Sequence, residues 1–302
     1  MTAALILAAV VLPEDGKRKP TDALGEVSSI KRIIMVFQQA GIKKIVVVTG
    51  SDADALEKHC AHMGVIFLRS ETYETGDMLS SVKAGLAYLK NKCAKVFITP
   101  VHIPLFSAET VKSMDSANGP VVIPKYNEQA GHPLLLFKSL FKNVLNYDGQ
   151  GGLSGALSGA DIARHFVEVS DQGILTDTRN SANVSSLIET QGLQTIRPEA
   201  KIRLLGEKEF FGPGTLLLLN LTQETGSLKQ AAQQMGVSYS KALKMISGME
   251  SQLGYTILES RQGGSGGGSS VITQKGLDFM KRYEAFENEC NERIKGAFEK
   301  YF

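Results

Sequence analysis

Two lysines near the C-terminal end of the chain, Lys241 and Lys244, have the spacing needed to contact a polyanion from one face of a helix. They belong to a predicted helix that opens at Ser238 or Tyr239 and continues to about Leu253. Another predicted helix and a short glycine-containing turn precede it, and this order is typical of a helix-turn-helix unit. Side chains on the second helix of such a unit can contact DNA phosphates or base edges. DNA binding is therefore the first chemistry that the residues suggest.

The turn between the two helices depends on caps and small residues. Ser227 is placed to cap a helix over residues 228–235, and Gly236 supplies the left-handed conformation that a tight turn requires. Small residues, Ala231 and Ala232, lie where the two helices must cross closely. Downstream, residues 255–261 and 270–273 predict two short strands joined by a glycine-rich tip, and Gln274 opens one long helix. Two strands with a long tip predict a wing.

These features resemble the winged-helix domain of the ModE family of molybdate-responsive regulators, which is related to LysR-type DNA-binding domains. The resemblance covers about residues 198–290 and includes Phe211–Gly214, the segment 226–232, and the glycine-rich wing. In this family the third helix enters the major groove of DNA. The resemblance implies the following DNA-binding residues: Ser238, Tyr239, Ser240, Lys241, Lys244 and Arg261.

Charge and hydrophobic pattern leave two questions open for this module. Between Glu224 and Arg282 there are seven basic and four acidic residues, so a monomer is expected to bind DNA weakly and in a salt-sensitive way. The alternative is a winged helix that serves only protein interaction or dimerisation. An apolar stripe along the last helix is compatible with a homodimer contact or with packing inside the chain. Its members are Leu277, Met280, Tyr283, Phe286, Cys290, Ile294, Phe298 and Tyr301.

The first part of the chain resembles a second family. Over about residues 3–190 it is similar to MobA-like nucleotidyltransferases, which include the molybdenum-cofactor cytidylyl- and guanylyltransferases. The matching segments are Leu7–Ala9, Gly16 with Lys19, Ile45–Gly50, Gly76–Leu86, Pro100–Leu105, Gly131–Pro133, Asp148–Leu153 and Ile174–Asn180. The resemblance implies a ligand site built from Gly16, Lys19, Gly76, Ser80, Ser81, His102, Gly131, His132, Asp177 and Arg179.

The chain departs from this family where the chemistry takes place. Nucleotidyl transfer brings several negatively charged phosphate groups close together, and Mg²⁺ and basic side chains must neutralise them. Mg²⁺ prefers carboxylate oxygen atoms as ligands. The family's two metal-binding aspartates are replaced by His102 and Arg179, and the phosphate-loop glycine is replaced by Val10. Glu14 stands at the loop arginine position, with Asp15 beside it. We therefore expect no metal site and lost catalysis, with Mg²⁺ as a cofactor only if the transferase is active.

Of the family's catalytic positions, Lys19, His102 and Arg179, only Lys19 retains the family residue. Two interpretations of Arg179 remain open. Together with Lys19 it could bind a nucleotide, a pterin or a small phosphorylated ligand without metal. Alternatively, it pairs with Glu14, Asp15 or Asp177 and fills an abandoned site. His102 is expected to be a neutral loop histidine, and His59 and His62 are expected at the surface.

The elements that must position these residues alternate between short apolar runs and helical patterns. Strands are predicted over 5–11, 44–49, 65–68, 95–99, 120–124 and 134–137, and helices over 29–40, 52–63, 77–90 and 107–114. This alternation predicts an α/β fold with a mostly parallel, doubly wound sheet, in which ligands bind beyond the carboxyl ends of the strands. We expect a nucleotidyltransferase-like domain at 1–192 and a winged-helix domain with a long C-terminal helix at 193–302.

Composition excludes several classes of protein. The 302 residues carry a formal net charge of +2 and 43% hydrophobic residues, which excludes a disordered chain. Three scattered cysteines exclude a disulfide scaffold and suit the cytoplasm. No run approaches the roughly 20 apolar residues of a membrane span, so no membrane partner is expected. The sequence predicts a DNA-binding transcriptional regulator linked to molybdenum metabolism; an active transferase and a protein-binding adaptor are the alternatives.

Overall fold

The computed structural model describes residues 1–9, 19–61, 63–70, 78–158, 162–179, 184, 187–189, 198, 200–261 and 269–301, with the side chains of 260 and 261 excepted. The chain divides into two compact units, Met1–Thr195 and Ile196–Phe302. The predicted boundary between residues 192 and 193 lies outside the described residues. Within the described part, no helix is long and apolar enough to cross a membrane.

The first unit is built on an eight-stranded sheet. Its strands are β1 (Thr2–Ala8), β4 (Lys44–Thr49), β5 (Ile66–Arg69), β6 (Lys95–Pro100), β7 (Val121–Tyr126), β8 (Gln129–Ala130), β9 (Leu134–Phe137) and β10 (Arg164–Glu168). Seven strands lie in the order β10-β7-β9-β6-β1-β4-β5, and β8 pairs with β7. The pairs among β6, β1, β4 and β5 are parallel, whereas β9 runs antiparallel to both its neighbours. The predicted α/β fold with a mostly parallel sheet is confirmed.

Helices cover both faces of this sheet. They are α1 (Ser29–Gln39), α2 (Ala53–His59), α3 (Met78–Leu89), α4 (Ala108–Ser116), α5 (Phe141–Asn146) and α6 (Gly152–Ala156). A short hairpin, β2 (Ala23–Leu24) with β3 (Val27–Ser28), precedes α1. Ile6 packs in one cluster with α1, while Leu5 lies against Gly85 of α3, where an added Cβ would come within 2.2 Å of it. Successive residues of a strand point to opposite faces, so α1 and α3 cover opposite sides of β1.

Several predicted elements need correction. The first strand spans Thr2–Ala8 rather than 5–11, and residues 10 and 11 lie outside the described part. Sequence patterns missed β10, whose side chains are mostly exposed and give no apolar run, and also the short helices α5 and α6. His59 is half-buried rather than at the surface, because its Nε2 lies 2.8 Å from the hydroxyl of buried Ser28. His62 lies outside the described residues.

The second unit is mainly helical. A small hairpin, β11 (Leu204–Leu205) with β12 (Glu209–Phe211), leads into α7 (Pro213–Thr225), α8 (Leu228–Gln234) and α9 (Tyr239–Leu253). β13 (Leu258–Arg261) and β14 (Ser269–Ile272) then pair antiparallel, and α10 (Gln274–Tyr301) follows. The core of this unit gathers aromatic rings: Phe211 lies 4.9 Å from Phe279 and 4.8 Å from Tyr283, measured between ring centroids.

Candidate functional site

The loop after β6 and the segment after residue 175 are held together by main-chain contacts. The carbonyl oxygen of His102 accepts hydrogen bonds from the amide of Thr178 at 2.9 Å and from its hydroxyl at 3.1 Å. The amide of Val101 donates to the carbonyl of Leu7, which ties the same loop to the end of β1. These bonds place two sequence-predicted residues, His102 and Asp177, side by side although 75 positions separate them in the chain.

Asp177 and Arg179 form a closed ion pair beside His102. The guanidinium of Arg179 donates through Nε and Nη2 to both carboxylate oxygens of Asp177, at distances of 2.6 to 3.1 Å. The Arg179 amide adds a fourth bond, at 2.9 Å, to Oδ1. Burial alone raises the pKa of Asp177, but the hydrogen bonds from Arg179 outweigh it and the net shift is downward. Of the interpretations left open for Arg179, the structure shows pairing with Asp177.

The His102 imidazole lies against this pair without a close hydrogen bond to it. Its Nε2 is 4.0 Å from Oδ2 of Asp177, and the side chain is 13% exposed. Burial first, and then the charge of Arg179, lower the pKa of His102 to about 4, although Asp177 opposes the shift. The imidazole is therefore neutral at pH 7.

These side chains do not fit a magnesium ion. Mg²⁺ prefers oxygen ligands in octahedral geometry, and this group offers one carboxylate, Asp177, whose two oxygens already accept bonds from a guanidinium. Arg179 and His102 present nitrogen atoms instead of oxygen atoms, and the guanidinium of Arg179 has no lone pair with which to bind a metal. Across the described residues, no cluster of three or more His, Cys, Asp or Glu side chains could hold a metal ion.

Lys19 begins the next described segment after the predicted phosphate loop. Its ammonium lies 3.6 Å from Oδ2 of Asp52, and both side chains are 58% exposed. Its amide donates to Asp22 at 2.7 Å. The other loop residues that the sequence singled out, Val10, Glu14, Asp15 and Gly16, lie outside the described residues, as does Gly76. On α3, Ser80 is half-buried and Ser81 is buried.

The Gly131–His132–Pro133 turn packs tightly against the segment that leads to Asp177. The amide of His132 donates to the carbonyl of Ile174 at 2.9 Å, and the peptide bond to Pro133 is cis. A Cβ on Gly131 would come within 2.5 Å of the same carbonyl oxygen, so this position requires glycine. Burial lowers the pKa of His132. The turn therefore positions the loop, and its histidine is neutral at pH 7.

An open cavity of about 420 Å³ adjoins Asp177. The described residues that line it are rich in carboxamides and include no basic side chain: Tyr126, Asn127, Gln129, Gln172, Leu175, Thr176 and Asp177. Asn127 and Glu128 both have positive φ angles, at the two central positions of the turn between β7 and β8, as primed hairpin turns require. Of the lining residues, the sequence analysis proposed only Asp177 as a ligand residue, although Leu175 and Thr176 lie in the matching segment Ile174–Asn180. The available signal was their position in two loops beyond the carboxyl ends of strands.

In the second unit, the helix-turn-helix pattern has the predicted caps. The hydroxyl of Ser227 accepts from the amide of Gln230, and that of Ser238 accepts from the amide of Lys241. Gly236 takes a φ of +65°, so α8 and α9 turn sharply at this point. Ala242, Ile246 and Met249 form the buried face of α9.

The opposite face of α9 presents the predicted DNA-binding residues. Of the six predicted residues, five lie at or near the start of α9: Tyr239 is 48% exposed, and Ser238, Ser240, Lys241 and Lys244 are exposed as well. An apolar side chain that the sequence analysis did not select, Leu243, is also exposed among them. α9 therefore combines one packed face with one free face that carries hydroxyls and two cations.

The wing is anchored to the helices at both of its strands. A carboxylate oxygen of Glu250 accepts from the amides of Ile257 and Leu258, and the amide of Ser270 donates to the carbonyl of Gly226 at 2.7 Å. Arg261 ends β13, but its side chain and the tip, residues 262–268, lie outside the described part.

The burial of the apolar side chains on the long helix α10 changes along its length. In the first half, Met280 and Tyr283 are buried, and the Tyr283 hydroxyl donates to the carbonyl of Ile202 at 2.7 Å. Further along the helix, Phe286 is 48% exposed, and Tyr301 at its end is 75% exposed. The stripe thus packs inside the unit at Met280 and Tyr283 and carries exposed rings at Phe286 and Tyr301, whereas Cys290, Ile294 and Phe298 are half-buried.

Comparison with known proteins identifies both units. A family model described as a MobA-like NTP transferase domain matches residues 4–167, and one described as a bacterial regulatory helix-turn-helix protein of the lysR family matches residues 215–277. The Escherichia coli K12 protein named DNA-binding transcriptional dual regulator ModE is 32% identical over 80 residues, which are 26% of this chain and 30% of that protein. The chain therefore spans less than a third of the curated relatives that it matches.

Solved structures match the fold of the first unit. Rv0371c from Mycobacterium tuberculosis superposes with a TM-score of 0.53 at 17% identity, over 62% of this chain and 97% of that one. A nucleotidyl transferase from Methanothermobacter thermautotroptrophicus gives a TM-score of 0.53 at 19% identity, over 64% and 98% of the two chains. At these identities the likeness shows the fold alone.

Proposed function

The chain belongs to the MobA-like NTP transferase domain family, and from this membership and its fused helix-turn-helix unit we propose a DNA-binding transcriptional regulator with a catalytically inactive transferase domain. The regulator is linked to molybdenum or molybdenum-cofactor metabolism, since both families that the sequence resembles act in the metabolism of this metal. We retain the predicted domains, 1–192 for the transferase-like part and 193–302 for the winged helix. A DNA-bound regulator of this kind acts in the cytoplasm.

The observation that supports DNA binding is the free face of α9. A helix whose buried side is fully packed and whose other side offers Ser238, Tyr239, Ser240, Lys241 and Lys244 has the composition of a recognition helix. Hydroxyls and lysines serve phosphate contacts, which position a protein on DNA. The wing is fixed beside these helices, so a second contact region is available.

Fluorescence anisotropy with the full chain tests this proposal. A labelled fragment from the upstream region of the protein's own gene should bind more tightly than a scrambled duplex of equal length, and the affinity should fall steeply with salt. If neither duplex binds at low salt, the winged helix is a protein-interaction module and the regulator proposal is wrong.

Catalytic inactivity is supported by the chemistry of the cleft. With a neutral His102 and with Asp177 closed by Arg179, these positions do not offer the oxygen ligands that a Mg²⁺-dependent transfer needs. We expect no transfer of a nucleotidyl group from CTP or GTP to molybdopterin above background. Turnover by the wild-type protein that Lys19→Ala abolishes would contradict this and establish the alternative, an active transferase with an appended regulatory domain.

The transferase-like domain is proposed to sense a small anionic ligand, such as a nucleotide, a pterin or a phosphorylated metabolite, without metal. Arg179, whose side chain is 30% exposed, supports this proposal, because a guanidinium can bind phosphate oxygens in a bidentate way once its present partner yields. Calorimetry with nucleotides and pterin phosphates, in EDTA and then in Mg²⁺, tests the idea. Binding that requires Mg²⁺, or that is unchanged in Arg179→Ala, would contradict it.

Homodimerisation through the distal half of α10 completes the proposal. Exposed Phe286 and Tyr301 continue the stripe that packs inside the unit further up the helix. A second copy would cover them and double the DNA footprint. Sedimentation of Phe286→Glu should show a larger monomer fraction than wild type, whereas Glu289→Gln, on an exposed position of the same helix, should sediment like wild type. Equal monomer fractions in both variants would contradict an α10 interface.

A further inference from the structure

One edge of the central sheet carries a self-complementary pattern. Within the part of the chain that the structure describes, β10 pairs with β7 on one side and has no strand on the other. Its alternate residues Arg164, Phe166 and Glu168 share one face and are exposed, with Phe166 46% exposed. The order along the strand is a cation, an aromatic ring and an anion.

The main-chain groups of the same three residues are directed toward the open side. The amide of Val169, immediately after the strand, donates to the carbonyl of Lys125 on β7 at 2.9 Å. Main-chain groups of successive residues in a strand point alternately to the two sides. Val169, Val167 and His165 therefore point toward β7, and Arg164, Phe166 and Glu168 point away from it. An edge of this kind is a template for another strand.

We propose that β10 pairs antiparallel with β10 of a second copy of the chain, on a two-fold axis at Phe166. In this register Phe166 faces its own counterpart, and Arg164 of each copy faces Glu168 of the other. Opposite charges in directly opposed positions stabilise an antiparallel pair, as do two aromatic rings. A two-fold interface requires such a self-complementary patch. The three outward residues supply six main-chain hydrogen bonds, two from each of the three opposed pairs.

The charges also make the edge selective. Charged residues on edge strands ordinarily prevent unspecific pairing. A parallel second copy would place Arg164 opposite Arg164 and Glu168 opposite Glu168, which is repulsive. Lys125 lies on the same face, 3.6 Å from Glu168 and 5.8 Å from the Phe166 ring, so the partner's arginine would share the Glu168 carboxylate with it. This contact is separate from the α10 interface and does not depend on the regulator proposal.

Cross-linking tests the register directly. Opposed residues in a hydrogen-bonded antiparallel pair have Cα atoms about 5.5 Å apart, within the range that a disulfide spans. In a Cys290→Ser background, where Cys60 and Cys93 are buried, Phe166→Cys should form a covalent dimer under mild oxidation. The neighbouring exposed His165→Cys is the matched control, since it faces Val167 of the second copy and should stay monomeric. Equal cross-linking of both variants, or none, would overturn the proposal.

Charge reversal supplies a second test, in the full chain with Phe286→Glu to remove the α10 contact. Arg164→Glu alone and Glu168→Arg alone should each weaken self-association by about tenfold, because like charges then face each other at both ends. An equimolar mixture of the two variants should restore association, because in the mixed dimer both charged pairs become complementary. A mixture that associates no better than either variant excludes a second copy as the occupant and leaves the edge to another protein.

Discussion

The cleft of the first unit and the free face of α9 both hold basic side chains, but these side chains are paired in the cleft and exposed on α9. In the cleft, Arg179 gives its hydrogen bonds to Asp177, and the neighbouring His102 is neutral. On α9, Lys241 and Lys244 extend from a helix whose other side is packed. Charge that is cancelled inside a unit holds loops in place, whereas charge left at the surface is available to a polyanion.

The same contrast extends to packing. The cleft is assembled from loops that touch at van der Waals distance, with glycines where no side chain fits, as at Gly131 and Gly173. A Cβ added to Gly296 of α10 would meet nothing within 4 Å, whereas one added to Gly276, at the start of the same helix, would come within 2.7 Å of Ile272. Substitutions in the cleft should therefore act through the structure, and substitutions at exposed positions of the second unit should act through binding. Three measurements test this difference between the two units.

The largest effect is expected from Gly173→Ala. The added methyl group would lie 1.6 Å from the carbonyl oxygen of Leu105, so the short turn at Gln172–Leu175 must move, with a cost of at least ~3 kcal/mol in the free energy of unfolding. Denaturant unfolding followed by circular dichroism measures the loss. The control, Gly296→Ala, has open space and should be neutral or stabilising by about 0.5–1 kcal/mol. Equal effects of the two variants would show that the cleft is not close-packed.

A slightly smaller effect concerns pH. The folded protein holds His102 with a pKa of about 4, against 6.5 in the unfolded chain, so below pH 6.5 the unfolded state binds a proton that the folded state does not. Stability should fall as the pH drops from about 6.5 to about 4, by about 3 kcal/mol for this group. His102→Gln should flatten this fall, whereas His165→Gln, on an exposed strand position, should leave it unchanged. An unaltered pH profile in His102→Gln would show that the imidazole is not buried neutral.

The smallest free-energy change is expected at the α9 face. Lys241→Ala with Lys244→Ala removes two cations, which should lower DNA affinity by roughly tenfold to hundredfold and reduce the salt slope by about 2. Thermal unfolding should not change, since both positions are exposed. Lys201→Ala with Lys208→Ala removes equal charge outside the helix-turn-helix segment as the control. If the two double variants bind DNA with the same affinity and the same salt slope, α9 does not form the DNA contact.

Local pattern accounts for what could be read before the structure. Apolar runs of strand length, helical spacing and caps such as Ser107, Ser227 and Ser238 depend on neighbours within a few residues, and these elements lie close to where they were expected. The mostly parallel sheet follows from their alternation. The motifs after the strands likewise indicated which loops form the cleft, including those of His102, Gly131 and Asp177.

Which of those residues act together depends on contacts between segments that are far apart in the chain. Asp177 closes on Arg179 beside His102 because Thr178 bonds the His102 carbonyl across 76 positions of chain, and the sequence alone left three partners open for Arg179. The antiparallel insertion of β9 and the edge position of β10 are equally invisible in local periodicity, because strand order depends on contacts between distant segments. The helices, the strands and the types of residue in the loops follow from local sequence. Pairing, burial and the resulting charge states arise from distances that no short-range pattern encodes.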